Sequence, residues 1–127
     1  MQRVVPVLRV AEFAAAQRFY VEALGFATDW VWQPDAAAPG FAQLSRGGLS
    51  LYLSADADEG ASGEGSVYLY VDDVDAWQRE LEQRGVALEA PARNQPWGNR
   101  ELSLRDPDGN RVTLATPTTT PPGPGTA

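Results

Sequence analysis

Apolar and polar positions along the first half of the chain follow two periods, one typical of strands and one of helices. Residues 4–10 (VVPVLRV) are rich in β-branched side chains and predict a strand. From Glu12 to Leu24 the apolar residues recur at helical spacing, and Gly25 follows as a natural helix end. Three further strands are predicted, over 26–32, 41–45 and 49–54, with a loop at 33–40 (QPDAAAPG) and a hairpin turn at RGG.

The same order of elements then repeats. Residues 66–71 (SVYLYV) predict a strand, and Asp73 is a suitable N-cap for a helix that ends near Gly85. The apolar face of this helix carries Val74, Trp77 and Leu81, so we assign Trp77 to packing. Three strands follow, over 86–90 (VALEA), 100–105 (RELSLR) and 110–115 (NRVTLA), and the last two are joined by the turn sequence DPDGN.

Equivalent positions in the two halves, such as Val10 and Val71, lie about 60 residues apart. One helix for four strands is too little to close a core, so each half needs the other. The pattern therefore predicts an α+β fold: two βαβββ modules, at about 3–56 and 65–116, forming a cupped mixed sheet within a single domain, 1–116. Residues 117–127 offer no side chains that could pack and predict a disordered tail.

Composition narrows the chemistry. With 127 residues, 43% of them hydrophobic, the chain suits one folded domain. It has no Cys and no His, which excludes disulfides, thiolate nucleophiles and Ser-His-Asp catalysis. No stretch is long and apolar enough to span a bilayer, and no signal-peptide pattern precedes the first strand, so we expect a cytoplasmic protein without membrane contact.

The net charge of −7 lies in one segment. Between Gly47 and Gln78 the chain carries no basic residue and these acids: Asp56, Asp58, Glu59, Glu64, Asp72, Asp73 and Asp75. This distribution disfavours nucleic acid and anionic membranes as partners and suits a cationic one. The segment is either such an attractive surface or a solvated loop that aids solubility.

Several stretches resemble a known family. The resemblance rests on the repeated βαβββ order and on three stretches, RFYVEALGFA, YVDDVDAW and WGNRELSLRDPDGNRV. In these features the chain resembles the vicinal oxygen chelate superfamily, which includes glyoxalase, extradiol dioxygenases and bleomycin-resistance proteins. The resemblance covers residues 3–116. It implies the glyoxalase/bleomycin-resistance fold.

Metal-dependent members of that superfamily place a His early and a carboxylate late in each module. The equivalent positions here are Val5, Ser66 and about Thr113, and the remaining one falls in LSLYL, which holds no acid. A divalent metal needs several donors in a fixed cage, and these residues do not supply one. We therefore expect no metal and no cofactor.

The chain resembles the metal-free bleomycin-binding resistance proteins more than the metal-dependent members. Near its start, VPVLRVAEF and LGFATDWV are similar to the first part of those proteins, and QPWGNRELSLRDPDGN is similar to their last motif. The resemblance implies a homodimer that exchanges its first strand, with Pro6 as the hinge, and ligand grooves at the dimer interface. From the residues alone, Pro6 marks either a simple edge strand or a strand that crosses to another subunit. Two departures fall near the expected ligand: a longer loop between Trp32 and Phe41, and one extra residue, Asn99, after Gly98.

The family's groove aromatics correspond to Phe41, Trp97, Tyr68 and Tyr70. The residues themselves agree: Trp97 lies in a loop between Pro96 and Gly98, where no element obviously buries it. Tyr68 and Tyr70 alternate with aliphatic residues, and either line the cup or are core residues with satisfied hydroxyls. By the same alternation Trp30 and Trp32 share a face, and we expect one of them in the core. The predicted ligand-binding residues are Trp32, Phe41, Ser54, Tyr68, Tyr70, Trp97 and Gly98.

The sequence thus predicts antibiotic resistance by sequestration, without catalytic residues. A cationic aromatic drug of the bleomycin type, or a similar natural product, would stack between Phe41 and Trp97 of different subunits. One alternative is a small-molecule enzyme of the same superfamily, glyoxalase- or dioxygenase-like, for which Arg100 and Glu101 are the best candidates. Another is a scaffold protein with an empty cup.

Overall fold

The structure is a computed structural model that describes residues 1–118, apart from the side chain of Glu59. It divides into two compact units. The first consists of Met1–Ser66 and Asp106–Arg111, and the second of Val67–Arg105 and the described residues after Arg111. None of the helices in the described part has the length and apolar character needed to cross a membrane.

The first module contains one mixed four-stranded sheet. Its elements are β1 (Val7–Arg9), α1 (Phe13–Arg18), β2 (Ala27–Trp32), β3 (Phe41–Arg46) and β4 (Leu49–Ser54). The strand order is β1-β4-β3-β2, with β1 parallel to β4 and the other pairs antiparallel. The two-residue turn between Arg46 and Leu49 confirms the hairpin predicted at RGG, and Gly47 adopts there a φ of 58°.

The α-helix is shorter than the one predicted from Glu12 to Leu24, and the rest of the predicted segment contains a π-helical turn. After α1 the chain continues as a π-helical turn, Phe19–Ala23, in which the Leu24 N–H donates to the Phe19 carbonyl oxygen at 3.4 Å. The predicted apolar face is confirmed, because Ala16, Tyr20 and Leu24 are all buried. The predicted end is also confirmed, since Gly25 has a φ of 72°.

The second module repeats this arrangement. Its elements are β5 (Ser66–Tyr70), α2 (Val74–Gln83), β6 (Ala90–Asn94), β7 (Asn99–Arg105) and β8 (Arg111–Pro117). Their sheet order, β5-β8-β7-β6, matches that of the first module position for position, which confirms the α+β fold of two βαβββ modules. Asp73 is the predicted N-cap: its Oδ1 accepts the Ala76 N–H at 3.1 Å. The prediction of a strand over 86–90 is wrong except for Ala90, because residues 86–88 take no regular structure and the strand begins at Ala90.

Each module has its own group of buried apolar side chains. In the first unit these are Leu8, Val10, Ala16, Tyr20, Leu24, Phe26, Ala42, Leu44, Leu51 and Leu53. In the second they are Val67, Leu69, Val74, Leu81, Leu102, Leu104, Val112, Leu114 and Ala115. Strand positions alternate between buried and accessible in β3, β5 and the end of β7, so one face of each sheet supplies the core and the other is left for solvent or a ligand.

The turn DPDGN is the predicted hairpin between β7 and β8, and it also fastens distant parts of the first unit. Asp106 Oδ1 accepts the N–H groups of Asp108 and Asn110, and its Oδ2 accepts the buried Tyr20 hydroxyl at 2.8 Å. The Asn110 amide donates to the Arg9 carbonyl oxygen and accepts the Gly65 N–H. Buried polar groups thus find partners across long sequence separations.

The acidic segment contains a short regular turn, and the predicted tail differs from its prediction in part. Residues 57–59 form a single 3-10 turn, and its N-cap Asp56 accepts the Asp58 N–H. At the other end, β8 includes Pro117, and Thr118 donates its N–H to the Gly98 carbonyl oxygen at 2.9 Å. The rest of the predicted tail, residues 119–127, lies outside the described residues.

Candidate ligand-binding site

Three aromatic rings cluster on the non-core face of the first sheet. Trp30 of β2, Phe41 of β3 and Tyr52 of β4 lie on neighbouring strands. The Trp30 and Phe41 ring centroids are 5.7 Å apart with planes inclined by 28°, and the Phe41 and Tyr52 centroids are 5.1 Å apart. Such offset rings form a flat apolar surface that a planar ligand can extend by stacking.

The expectation that Trp30 or Trp32 belongs to the core is wrong. Trp30 is 41% exposed and Trp32 is 63% exposed. Their predicted shared face is confirmed, because Trp32 pairs with Phe41 and Trp30 with Gln43, two positions apart. The physical reason for their exposure is that β2 is the last strand of its sheet and both rings point to the face opposite the buried leucines of β3 and β4.

The rings of Trp30, Trp32 and Phe41 line an open pocket of about 730 Å³. Its lining residues are Trp30, Val31, Trp32, Ala38, Pro39, Gly40, Phe41, Ser54 and Asp56. Three predicted ligand contacts, Trp32, Phe41 and Ser54, are therefore brought together in one site. The volume falls within the range of pockets that bind drug-sized molecules, and the wall combines large apolar rings with a few polar groups, as such sites do. Asp56 is the acidic group of the lining.

The long loop between β2 and β3 forms one wall of this pocket. Asp35 organises it, since its Oδ1 accepts the N–H groups of Ala37 and Ala38 at 2.9 and 3.0 Å. The Gln33 amide closes the loop by donating to the Ala38 carbonyl oxygen at 2.9 Å. Gly40 ends it where a Cβ atom would approach the Phe13 ring to 2.4 Å, so any other residue would have to displace that ring. The loop between β2 and β3 thus shapes the pocket.

A second aromatic cluster lies in the second unit. Tyr68 and Tyr70 of β5 are exposed while Val67 and Leu69 are buried, which confirms the predicted alternation and places both rings outside the core. Their centroids are 5.3 Å apart with an interplanar angle of 68°. The Asn99 side-chain amide donates to both phenol oxygens, at 2.7 Å for Tyr68 and 3.1 Å for Tyr70.

Trp97 is presented by the tight turn between β6 and β7, and its ring is 50% exposed. The Gly98 N–H donates to the Gln95 carbonyl oxygen at 3.2 Å, and the Gln95 N–H donates to the Asn99 carbonyl oxygen at 2.8 Å. Gly98 has a φ of 96°, which only glycine adopts without strain. The prediction of a rigidly held tryptophan in a loop therefore agrees with the turn geometry.

Glu101 connects this tryptophan to the tyrosines. Its Oε2 accepts the Trp97 indole Nε1–H at 2.7 Å and also accepts the Tyr68 hydroxyl. Partial burial and the hydrogen bond to Glu101 raise the pKa of the Tyr68 phenol above its ordinary value of 10.0, while Asn99 opposes the shift. Tyr68 therefore remains a neutral hydrogen-bond donor at physiological pH.

Arg100 and Glu101, the candidates for an enzyme, do not act as a pair. Arg100 lies on the other side of β7, where its Nε donates to Asp75 at 3.1 Å and an Nη donates to Asn94 at 3.2 Å. Sequence reasoning did not assign Trp30, Tyr52, Asp56 or Asn99 to a site. Three of them had a signal in the sequence: Trp30 shares a face with Trp32, Asp56 belongs to the acidic segment, and Asn99 is an extra residue beside Trp97. Tyr52 had none.

The predicted site residues divide between the two units. Trp32, Phe41 and Ser54 belong to the first, whereas Tyr68, Tyr70, Trp97 and Gly98 belong to the second. Pro6 directly precedes β1 in the first unit, and its carbonyl oxygen accepts the Tyr52 N–H at 2.9 Å. Across the described ranges no three His, Cys, Asp or Glu side chains come together in a group that could hold a metal ion.

Comparison with solved structures gives relatives that match nearly the whole chain. TnmS3, an antibiotic binding protein from Streptomyces sp. CB03234, is 34% identical over 92% of this chain and 98% of its own, with a TM-score of 0.75. A bleomycin-binding protein from bleomycin-producing Streptomyces verticillus, solved with copper(II)-bleomycin, is 29% identical over 90% and 94%, with a TM-score of 0.71.

A member of the glyoxalase/bleomycin resistance protein/dioxygenase superfamily from Sphaerobacter thermophilus is 28% identical over 91% of this chain and 98% of its own, with a TM-score of 0.73. Among curated proteins none matches the chain. Residues 1–119 match the family described as glyoxalase superfamily protein. With the duplicated βαβββ order, this match shows that the chain belongs to the glyoxalase superfamily.

Proposed function

We propose that the protein binds an aromatic, antibiotic-type small molecule and sequesters it without chemical change. The observation that carries the proposal is the pocket of about 730 Å³, whose wall includes the exposed rings of Trp30 and Trp32 and the partly buried ring of Phe41. Exposed aromatic area of this size is costly in water, and a planar ligand that covers it removes that cost.

The charge of the pocket favours a cationic ligand. Asp56 lies in the lining, and the segment from Gly47 to Gln78 has acids but no basic residue. A positive group on the ligand would gain from this potential, and the gain would decrease with added salt. The relatives named above as antibiotic binding and bleomycin binding are consistent with a ligand of this kind.

A titration with bleomycin, followed by tryptophan fluorescence, tests the proposal. We expect saturable quenching at micromolar drug, because the pocket tryptophans would stack on its aromatic part. Phe41→Ala and Trp97→Ala should each weaken it, the second because we also propose Trp97, Tyr68, Tyr70 and Gly98 as ligand contacts. Quenching that is absent at micromolar drug would exclude bleomycin as the ligand.

Mass spectrometry of the recovered ligand separates sequestration from the enzyme alternative. We expect the ligand to leave the protein with its mass unchanged after prolonged incubation. A new product, or metal at one equivalent in the purified protein, would instead support a glyoxalase- or dioxygenase-like activity. The scaffold alternative predicts no binding of either bleomycin or related aromatic compounds.

The proposed function also concerns how the protein assembles and where it is located. We propose a cytoplasmic homodimer in which Phe41 of one subunit and Trp97 of the other contact the same ligand. Exchange of the first strand at Pro6 would replace the pairing of β1 with β4 of its own chain by the same pairing with the partner's β4. Sedimentation analysis of Pro6→Ala beside the unmodified protein tests the dimer and the strand exchange, since a variant of the hinge should shift the monomer–dimer equilibrium.

A further inference from the structure

The carboxylate of Glu101 is held in a fixed position with one oxygen unused. Its Oε2 accepts two hydrogen bonds, from the Trp97 indole and from the Tyr68 hydroxyl. Within residues 1–118 no group donates a hydrogen bond to Oε1. A carboxylate anchored through one oxygen has little orientational freedom left to lose, so its other oxygen is prepared for a ligand.

Two aromatic side chains contact this carboxylate, and a third packs beside them. Tyr68 and Trp97 are both bonded to it, and Tyr70 lies edge to face against Tyr68 with centroids 5.3 Å apart. Asn99 fixes the two phenols through bonds of 2.7 and 3.1 Å. The three rings are each more than two-fifths exposed, so their faces are accessible.

The electrostatics of this arrangement select for a cation. The ring faces carry negative quadrupole potential, and the carboxylate adds a full negative charge. No arginine of the described chain forms an ion pair with Glu101, and the adjacent Arg100 is directed to Asp75. Proteins recognise quaternary ammonium groups with clustered aromatic rings, because a bulky cation contacts the ring faces, and a carboxylate beside the rings would balance the charge of the cation.

We propose that Glu101, Tyr68, Tyr70 and Trp97 form a subsite for an alkylammonium group. The inference rests on the proposed binding function and deepens it, since it names the chemical class of one ligand substituent and the residues that recognise it. It also gives Asn99, the residue that departs from the family pattern, a positioning role: its amide holds the two phenols.

Choline and 3,3-dimethylbutan-1-ol, which have the same shape and differ in charge, test the subsite directly. The unmodified protein is titrated with each at constant ionic strength, and the indole N–H resonance of Trp97 is followed by NMR after its assignment with Trp97→Phe. We expect choline to shift this resonance with millimolar affinity and the neutral analogue to bind about 10-fold more weakly. Equal affinities, or a resonance that choline does not move, would overturn the inference.

Two matched variants locate the charge. Glu101→Gln preserves shape and removes the carboxylate, while Glu12→Gln removes an equal charge from an exposed position in the other unit, outside the acidic segment. We expect Glu101→Gln to lose about 10-fold in choline affinity and Glu12→Gln to change it less than twofold. Equal losses in both would assign the effect to net charge and reject the subsite.

The outcome is independent of the bleomycin titration. Choline binding without bleomycin binding would support the subsite and reject bleomycin as the ligand. Bleomycin binding without choline binding would support the proposed drug and reject the subsite. Thermal unfolding of each variant confirms that the fold is retained, and the comparison of choline with its neutral analogue needs no variant at all.

Discussion

Trp30 stacks on Phe41 with ring centroids 5.7 Å apart, across neighbouring strands and outside the core. Stacked pairs of this kind usually stabilise an interior, yet here one ring is 41% exposed and both line an open pocket. The pair therefore gives a ligand a flat surface that is already formed before binding, which lowers the entropy lost on association.

Trp30→Ala should reduce the affinity for the pocket ligand about 10-fold, because it removes one stacking surface and the area it covers. Trp30→Phe keeps a ring and should recover most of that loss. The free energy of unfolding should change by only about 1 kcal/mol in either variant, since the side chain lies outside the core. Fluorescence titration and urea denaturation provide the two measurements.

Val21→Ala is the control for Trp30→Ala. It shortens another exposed apolar side chain of the same unit, at a position that does not line the pocket. An equal loss of affinity in Val21→Ala would mean that the titration reports general stability and would contradict the role given to Trp30.

Asp35→Ala should loosen the loop that forms the pocket wall. The carboxylate accepts two backbone N–H groups, and each lost hydrogen bond contributes about 0.5–1.5 kcal/mol to local order. We expect faster amide exchange at Ala37 and Ala38, and weaker ligand binding with little change in global stability.

Asp72→Ala is the matched control for charge, because Asp72 is an exposed acid outside the pocket. In Asp72→Ala the amide exchange of Ala37 and Ala38 should equal that of the unmodified protein. If Asp35→Ala left the exchange of Ala37 and Ala38 unchanged, the loop would be held by other contacts and the explanation would be wrong.

The fold could be predicted where a residue's burial or role depends on its close neighbours in sequence. Alternation in β5 correctly separates Val67 and Leu69 from Tyr68 and Tyr70, and Asp73 was identifiable as a helix cap from its position alone. The duplicated order of elements then fixes the topology, because each module needs the same strand pairing.

The site was less predictable because it depends on pairing between strands. Trp30 and Tyr52 are 22 residues apart in sequence and meet only through the register of β2, β3 and β4. Likewise the Asn110 amide reaches the Arg9 carbonyl oxygen across 101 positions. No local pattern encodes such contacts, so the sequence indicated which aromatics were unusual without showing which ones form a cluster.

Gly40→Ala should destabilise the protein and disturb the pocket. A Cβ at this position would lie 2.4 to 2.6 Å from three carbon atoms of the Phe13 ring, well inside van der Waals contact. Moving that ring should cost about 1–3 kcal/mol in the free energy of unfolding. Denaturation in urea measures the loss, and the ligand titration should show a weaker site in the same variant.

Gly48→Ala provides the contrast. A Cβ there meets no atom within 4 Å, and Gly48 does not need a positive φ. The substitution should leave stability unchanged or raise it by up to about 1 kcal/mol, through a less flexible unfolded chain. Similar losses in both alanine variants would show that glycine content, and not the contact with Phe13, determines the result.

Tyr20→Phe tests the buried bond to Asp106 and its dependence on pH. Burial, and then the charge and hydrogen bond of Asp106, raise the pKa of the Tyr20 phenol far above its ordinary value of 10.0. The folded protein therefore keeps this proton at pH values where the unfolded chain releases it. The stabilisation from this group is complete below about pH 10 and decreases as the pH rises further, by about 1.4 kcal/mol per unit.

At pH 7 we expect Tyr20→Phe to lower the free energy of unfolding by about 1.5–3 kcal/mol, because Asp106 loses a donor in a buried site. Between pH 10 and 11 the variant should lose less stability than the unmodified protein, since it has no phenol to ionise at this position. Tyr70→Phe, at an exposed phenol, should follow the unmodified curve. Urea denaturation at pH 7, 9, 10 and 11 measures all three proteins. Parallel curves for Tyr20→Phe and the unmodified protein above pH 10 would show that another group controls the alkaline loss of stability.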